Sequence, residues 1–419
     1  MSLKNESLSS KNPKKAAFIF IFITVILDML GIGLIIPILP KLVVSFVSGS
    51  ASDGAEIYGL FGTAWAIMQF FSSPILGALS DRFGRRPVIL LSNFGLGLDY
   101  ILMYFAPTLA WLFVGRVISG ITSASMGAAH AYIADVTEPA KRAGAFGMLG
   151  AAFGVGFILG PAVGGILGSI DARLPFAVAA ALSLCNALYG YFVLPESLLV
   201  KNRSPFLWKN ANPVGSLKLF VSHKSLIGMG AINFFNQLSN VVFPSVFVLY
   251  ASYRYGWDEK KIGICLAGVG VSFMIVQALL VKPIVAKIGE RNTMLLGGVM
   301  GIVCFAIYGL AENQWAFFIG IPFAALWGIM GPALQSLMTA QVGPREQGQL
   351  QGANGSLVGI SNLIGPLLFT LTFSYFIAES RAIKIPGASF FLAGAILALA
   401  LLMVFVFVSP DKKDMHIIK

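Results

Sequence analysis

The chain has 419 residues, of which 57% are hydrophobic and only 11% are charged, and its formal net charge is +11. Soluble domains carry about 25% charged residues, so this composition excludes a soluble enzyme, a disordered protein and a nucleic-acid binder. Lipid must contact most of the protein surface. The three cysteines are too few and too scattered for a disulfide or metal framework, so we expect no metal site.

Apolar segments long enough to cross a bilayer follow one another along the chain. They lie near residues 17–39, 57–79, 87–105, 108–131, 144–168, 173–194, 225–250, 262–282, 293–311, 315–338, 352–376 and 387–408. These segments lack the period-two alternation of membrane barrel strands. We therefore predict twelve transmembrane helices.

The Lys and Arg residues between the spans predict the orientation. Most of them fall in one alternating set of loops, which includes 82–86, 141–142 and a long polar connector. This bias places both termini in the cytoplasm. The predicted organisation is a cytoplasmic tail (1–15), an N-terminal six-helix bundle (16–194), a cytoplasmic linker (195–224), a C-terminal six-helix bundle (225–408) and a second cytoplasmic tail (409–419).

The second half of the chain repeats the first at an offset of about 205 residues. Gly147, Gly150, Gly154, Gly160 and Pro161 match Gly352, Gly355, Gly359, Gly365 and Pro366 at one constant shift. The fold class is therefore an all-α integral membrane protein with two pseudo-symmetric six-helix bundles. Such repeats are typical of secondary transporters, which bind substrate between the halves and rock one half against the other.

The glycines and prolines of this repeat have two interpretations. We expect hinge positions in the helices at Gly154, Gly160, Pro161, Gly365 and Pro366, because proline removes a backbone donor and bends a helix. The alternative is ordinary packing of small residues, which lets neighbouring helices approach closely.

A charged loop, GALSDRFGRRPV (77–88), stands between spans two and three. Its glycines suit a tight turn between the two spans. Its charges can hold helix ends together in one conformation and release them in another. The predicted gate residues in this loop are Gly77, Asp81, Arg82, Gly84, Arg85 and Arg86.

Two acids, Asp28 and Asp99, lie well inside predicted spans. An acid at this depth is costly unless it is protonated, paired or facing water, so it indicates function by default. We predict that Asp28 carries protons or contacts substrate, and the alternative is a structural partner for a cation. For Asp99 the two interpretations are equally good.

Uncharged polar residues inside the spans are candidates for substrate binding. Asn233, Asn236, Gln237 and Asn240 share one helical face of span seven. We expect this stripe to line a cavity, with hydrogen bonding between helices as the alternative. Gln69, Gln335 and Asn354 are further candidates for substrate binding in a largely apolar pocket.

The loop 77–88 resembles the loop signature of the major facilitator superfamily. GRVISGITSAS (115–125) and GAAFGVGFILGPAVGG (150–165) resemble its fourth- and fifth-span signatures, and DMLGIGLIIPILP (28–40) and LDYIL (98–102) resemble its tetracycline/proton antiporters. The resemblance implies that Asp28 and Asp99 are functional acids. It also implies cytoplasmic gate charges at Asp81, Arg85 and Asp135, and a fourth-span arginine at Arg116.

Three positions depart from that family. Its histidine in span eight and aspartate in span nine are replaced by Phe273 and Gly301, and His130 stands where the family has a small residue. His130 can titrate near neutral pH, so we include it and Arg116 among the candidates for proton coupling. Packing remains the alternative for His130, and a structural hydrogen-bonding role for Arg116.

The sequence thus predicts a proton-coupled antiporter of the inner membrane that exports an amphiphilic organic compound by alternating access. It has no nucleotide-binding motif, so we expect no cofactor besides the proton gradient, and a monomer among lipids. One alternative is a carrier of the same fold for a metabolite or a siderophore-type metal chelator. The other is a membrane-embedded enzyme or lipid scramblase, although no catalytic constellation is evident.

Overall fold

A computed structural model describes residues 13–47, 50–122, 126–138, 142–206, 212, 215–343 and 346–408. Residues 1–12 and 409–419 of the predicted tails, and residues 207–211 and 213–214 of the predicted linker, lie outside the described residues.

The described chain is helical and has the following α-helices. They are α1 (Pro13–Ile35), α2 (Leu39–Phe46), α3 (Ala51–Phe83), α4 (Arg85–Phe105), α5 (Leu109–Thr122), α6 (Met126–Val136), α7 (Arg142–Ile170), α8 (Leu174–Val193), α9 (Lys218–Ser222), α10 (Lys224–Asn240), α11 (Val242–Tyr255), α12 (Glu259–Ile275), α13 (Val281–Leu310), α14 (Gln314–Trp327), α15 (Met330–Ala340), α16 (Gln347–Ile377) and α17 (Ala388–Phe407). A π-helical turn, Val276–Leu280, joins α12 to α13.

Ten helical segments of the described chain are long and apolar enough to cross a membrane. One of them, Glu259–Leu310, has 52 residues, and a straight helix of that length would extend about 78 Å. It is divided instead at Gly289, whose backbone is not helical. With this division, and with the 33-residue α3, the fold is consistent with twelve crossings.

The turns at Gly84 and Gly289 are structural counterparts. Gly84 has φ 108° and Gly289 has φ 78°, a region that glycine enters without steric cost. They are separated by the offset of the predicted sequence repeat. The two halves of the chain therefore repeat a backbone conformation as well as a glycine pattern.

The helix ends form two groups. We call the side with the turns at Gly84 and Gly289 the basic side, because Arg82, Arg85, Lys287 and Arg291 lie there. The other side, with the turns before α3, α12 and α14, is called the opposite side. Each of those three helices begins with a side-chain cap, from Ser50, Asp258 and Asn313.

The glycine-rich helix α7 packs directly against α1 within the first half. A β-carbon added at Gly160 would lie 2.6 Å from the Cα of Gly33, and one at Gly156 would lie 2.8 Å from the carbonyl oxygen of Ile26. The two backbones are thus in contact with no room for side chains between them. In contrast, a β-carbon at Gly154 would have no neighbour within 4 Å.

We predict that Gly160→Ala destabilises the protein by about 1–3 kcal/mol, because the added carbon forces α1 and α7 apart. Thermal unfolding of the detergent-solubilised protein measures the loss. The matched control is Gly154→Ala on the same helix, which should be neutral or slightly stabilising. Equal unfolding temperatures for the two variants would contradict the packing described above.

Candidate functional site

The two halves of the protein meet along α3 and α16. A β-carbon at Gly62 of α3 would lie 2.9 Å from Cβ of Pro366, and one at Gly59 would overlap Thr370. Farther along the same faces, Gly359 of α16 packs against Phe70. Glycine therefore permits close approach of the halves along this whole seam.

A second seam runs along α7 and α12 and is related to the first by the repeat. Gly263 of α12 packs on the carbonyl of Pro161, and Gly270 packs on Ile158. Pro161 and Pro366 are repeat counterparts, so each half contributes one proline that meets a glycine of the other half. Both contacts lie in the half of the bundle nearer the opposite side.

Polar contacts reinforce the closure on the opposite side. The ammonium of Lys41 donates to the carbonyl of Trp257 at 2.8 Å and lies 3.2 Å from a carboxylate oxygen of Glu259. Two further hydrogen bonds cross between the halves there, from Tyr58 to the Pro244 carbonyl at 3.2 Å and from Ser374 to Glu56 at 2.8 Å.

Both seams open toward the basic side. Gly150 and Gly154 continue the α7 face that meets α12, and Gly355 and Gly77 continue the facing stripes of α16 and α3. A β-carbon at any of these four positions would have open space around it. We call the space between the halves the central cleft; it is closed on the opposite side and open on the basic side.

The two predicted acids are buried inside the first half. Asp28 of α1 is 9% exposed and Asp99 of α4 is 1% exposed. Oδ1 of Asp28 is buried without a hydrogen-bond partner among the described residues. Neither acid faces lipid, so both have the sheltered position that a proton carrier requires.

Arg116 and Asp99 are brought together by the packing of α4 on α5. Asp99 interacts electrostatically with Arg116, and the hydroxyl of Ser119 lies near the Asp99 carboxyl group. Among the described residues, neither carboxyl oxygen of Asp99 has a hydrogen-bond partner. The guanidinium of Arg116 lies over the ring of Trp65, 5.4 Å from its centroid. The first half therefore holds a buried cluster of opposite charges.

The second half presents neutral amides instead. Asn233 of α10 donates to Asn354 at 3.1 Å, and Asn354 of α16 donates to Gln335 of α15 at 2.8 Å. Asn233 and Gln335 are half-buried, whereas Asn354 between them is buried. This chain of amides has donors and acceptors but no formal charge.

The stripe predicted on span seven is divided by the fold. Asn236 is 8% exposed and accepts a hydrogen bond from the indole of Trp327 at 2.9 Å, so it joins two helices. Gln237 is half-buried and Asn240 is exposed, and Gln69 of α3 is half-buried. Hydrogen bonding between helices thus accounts for Asn233 and Asn236, and cavity lining by the stripe stays a prediction.

The predicted gate charges meet on the basic side. Arg85 lies 2.5 Å from Oδ1 of Asp81 and 3.3 Å from Oδ2 of Asp135, and it also donates to Ser80. Gly84 provides the turn that directs Arg85 back onto α3. Arg86 donates to the carbonyl of Tyr191 at 2.6 Å, whereas Arg82 is exposed.

Glu196 is a member of this charged cluster that the sequence analysis missed. Its carboxylate accepts hydrogen bonds from the backbone N–H groups of Arg85 at 2.9 Å and Arg86 at 3.3 Å. It therefore caps the N-terminus of α4, where negative charge is favourable. Its place directly after span six, in the sequence LPES (194–197), was the available signal.

The remaining candidates lie apart from these clusters. His130 is exposed on α6. The expected hinge residues lie inside uninterrupted helices, with Pro161 within α7 and Pro366 within α16. A β-carbon at Gly160 would meet the backbone of Gly33 in α1, whereas one at Gly365 would meet the side chain of Val241. Among the described residues, no group of three or more His, Cys, Asp or Glu could hold a metal ion.

We predict that Lys41→Met loosens the closure of the opposite side, because it removes a half-buried ion pair and a hydrogen bond between the halves. A cysteine introduced at the buried Thr370 reports the opening through its reaction with a membrane-impermeant thiol reagent, with the exposed Cys185 replaced by serine. For a loss of about 1 kcal/mol, the labelling rate should rise about fivefold.

The control is Lys260→Met, which removes an exposed lysine next to Glu259. It should leave labelling unchanged. If Lys41→Met also leaves the rate unchanged, the ion pair does not hold the halves together.

Comparison with known proteins shows the family and the fold. The family model described as Major Facilitator Superfamily matches residues 21–366 and again 229–418. The chain is 37% identical to the tetracycline resistance protein of class C from Escherichia coli (85% of this chain, 90% of that protein) and 38% identical to the class H protein from Pasteurella multocida (87% and 90%). A solved bacterial homologue of the human lysosomal transporter Spinster, titled as inward-facing and unoccupied, has a TM-score of 0.77 at 17% identity and covers 95% of this chain and 98% of that one. The chain is therefore a member of the Major Facilitator Superfamily.

Proposed function

We propose that this protein is a proton-coupled antiporter that exports an amphiphilic organic compound, such as a drug, across the inner membrane. The observation that carries the proposal is the pair of buried acids, Asp28 and Asp99, in a half that borders a cleft open on one side only. The tetracycline resistance proteins to which the chain is similar favour a drug as substrate.

Proton coupling follows from the cost of charge in a membrane interior. A buried acid is stable there when it is protonated or paired, so its deprotonation and the binding of a substrate can be linked. Antiport then requires that the proton and the substrate compete for one state of the protein, so that binding of one accompanies release of the other. The proton gradient supplies the driving force, and we propose that no cofactor takes part.

The two halves have different tasks in this proposal. The titratable acids and Arg116 belong to the first half, whereas the amides of Asn233, Asn354 and Gln335 belong to the second. Neutral amides bind hydroxyl, carbonyl or amide groups of a substrate without a full charge. We expect the remainder of the cleft to be apolar, which suits an amphiphilic molecule.

We further propose that the basic side faces the cytoplasm, since cytoplasmic loops carry the excess of Lys and Arg. The conformation described here would then receive substrate from inside the cell. In this conformation Arg85 pairs with Asp81 and Asp135 within the first half. Asp81 is half exposed, so it remains available for contacts with the second half when the basic side closes.

We predict that Asp28→Asn abolishes uphill transport, because an amide cannot release a proton. The protein is reconstituted in proteoliposomes, a pH difference is imposed, and uptake of tetracycline and of a panel of amphiphilic cations is followed. At least one compound should accumulate with the wild-type protein. With Asp28→Asn, accumulation should fall to the level of protein-free vesicles.

The matched control is Asp171→Asn, which changes an exposed acid in the loop between α7 and α8. It should transport like the wild type. If no compound of the panel accumulates with the wild-type protein, proton-driven drug export is wrong. If accumulation survives Asp28→Asn, that residue is not the proton carrier.

We also predict different effects for two asparagines of α10. Asn233→Ala should raise the KM for transport about fivefold, since it removes from the amide network a side chain whose hydrogen bond is worth about 1 kcal/mol. Asn236→Ala should lower the unfolding temperature and leave KM unchanged, because it breaks only the bond to Trp327. The reverse pattern would contradict the assignment of the amide network to substrate binding.

A further inference from the structure

The π-helical turn Val276–Leu280 lies where the spacing of the repeat changes by one residue. Before this turn, Gly59 contacts Thr370 on the first seam. On the second seam Gly263 contacts Gly165, which is the counterpart of Thr370 at the offset of 205 residues. Gly59 and Gly263 are therefore equivalent positions, although they are only 204 residues apart.

After the π turn the spacing is one residue longer, since Gly84 and Gly289 are 205 residues apart. A π turn contains one residue more than an α-helical turn. Because each residue of an α-helix advances the side-chain direction by about 100°, this insertion rotates the beginning of α13 by that angle. The side chain of Gln277 fixes the turn to the neighbouring helices, since it donates to the carbonyl of Gly328 at 2.8 Å.

The extra residue brings Lys282 onto the face of α13 that continues the second seam. Lys282 is the repeat counterpart of Gly77, which continues the stripe of α3 that meets α16 and has open space around it. In an uninterrupted helix this place would belong to Val281, five turns after Gly263, and Lys282 would point about 100° away. The lysine is therefore directed from the second half toward the central cleft.

Lys282 lines a groove between α13 and α15 that has a volume of about 380 Å³. Its polar members are Lys282 and Ser336. The apolar walls are Val281, Val285, Ala286, Pro332 and Ala333. Small-molecule sites have volumes of about 300–1,000 Å³, so the groove can hold a small ligand or part of a larger one.

The charge of Lys282 is not compensated. Among the described residues, Lys282 has no acidic partner. The acid at the Ser336 end of the groove is Glu290, which accepts a hydrogen bond from the Ser336 hydroxyl at 3.4 Å and makes no ion pair with the lysine. An ammonium group has three donors and no acceptor. A molecule complementary to this groove therefore carries a negative group on an apolar body.

We propose that this groove binds amphiphilic anions, such as sulfonates and carboxylates, as they enter the central cleft from the basic side. This inference rests on the proposed export function and specifies the class of compound that the site admits. The ammonium of Lys282 donates to the anionic group, and the apolar walls contact the hydrocarbon part. The facing stripe of α7 leaves room for the ligand at Gly150, where a β-carbon would have no neighbour within 4 Å.

Protection of a single cysteine tests the site. Ser336→Cys is combined with Cys185→Ser, and the reaction of the new thiol with a maleimide is timed in nanodiscs of phosphatidylcholine. Naphthalene-1-sulfonate is the probe, and naphthalene-1-sulfonamide is a neutral compound of similar shape. Both should slow the reaction, and the sulfonamide should need a concentration about five times higher, the difference expected for one exposed charge pair.

Substitution of the lysine separates its charge from its packing. Lys282→Met should raise the half-protecting concentration of the sulfonate about fivefold and leave that of the sulfonamide unchanged. Lys282→Arg should restore the wild-type value, because it keeps the charge. The control is Lys287→Met, which removes an exposed lysine of α13 outside the groove and should have no effect.

Each outcome of the protection experiment decides the proposal. Absence of protection by the sulfonate, equal protection by the two probes, or unchanged protection in Lys282→Met overturns it. A lipid headgroup is the competing occupant. If phosphatidylglycerol in the nanodiscs slows the reaction in a way that depends on Lys282, and the sulfonate adds nothing, the groove is a lipid site and the proposal is wrong.

Transport in proteoliposomes separates this inference from the proposed function. The sulfonate stays ionised and does not cross the bilayer unaided, so its accumulation under an imposed pH difference reports the protein. Lys282→Met should raise its KM about fivefold and leave kcat within about twofold of the wild type. Protection without accumulation would support the groove and contradict proton-driven export. Accumulation of other compounds without protection by the sulfonate would support export and overturn the groove.

Discussion

Close contact between backbones of the two halves is the constraint on which the structure depends. Gly62 meets Pro366 on one seam, and Gly263 meets Pro161 on the other. Because these residues carry little or no side chain, the seams are thin, and the halves can separate on one side while they touch on the other. The glycines nearer the opposite side contact the other half, and those nearer the basic side have no neighbour. The cleft is therefore closed on the opposite side and open on the basic side.

Charge is distributed unequally between halves that are otherwise alike. The first half encloses Asp28, Asp99 and Arg116, and the second half offers a chain of amides across α10, α15 and α16. Protons need a group that can lose its charge in a water-poor interior, whereas an amphiphile needs hydrogen bonds without a charge. In the proposed function, the two copies of one repeated scaffold thus serve different ligands.

Much of this arrangement could be predicted because lipid restricts the possible folds. Hydropathy alone predicted the helices, and the offset of the repeat anticipated that Gly84 and Gly289 have matching backbone turns. The charges Asp81, Arg85 and Asp135 were recognised as one group, and the structure brings them together. Glu196 was missed because the LPES segment shows only an acid at the end of a span, whereas its partners are the backbone N–H groups of a helix distant in sequence.

The sequence by itself determined the membrane environment, the helix count to be expected, the repeat and the two intramembrane acids, because each depends on composition or on spacing along one helix. Tertiary structure decided which side of the cleft is closed, that Lys41 pairs with Glu259, and that Asn236 binds Trp327 while Asn233 joins the amide network. Those outcomes depend on how helices are rotated against each other. A rotation of one helix exchanges its buried and cleft-facing residues without changing its periodicity, so only the packed structure can distinguish them.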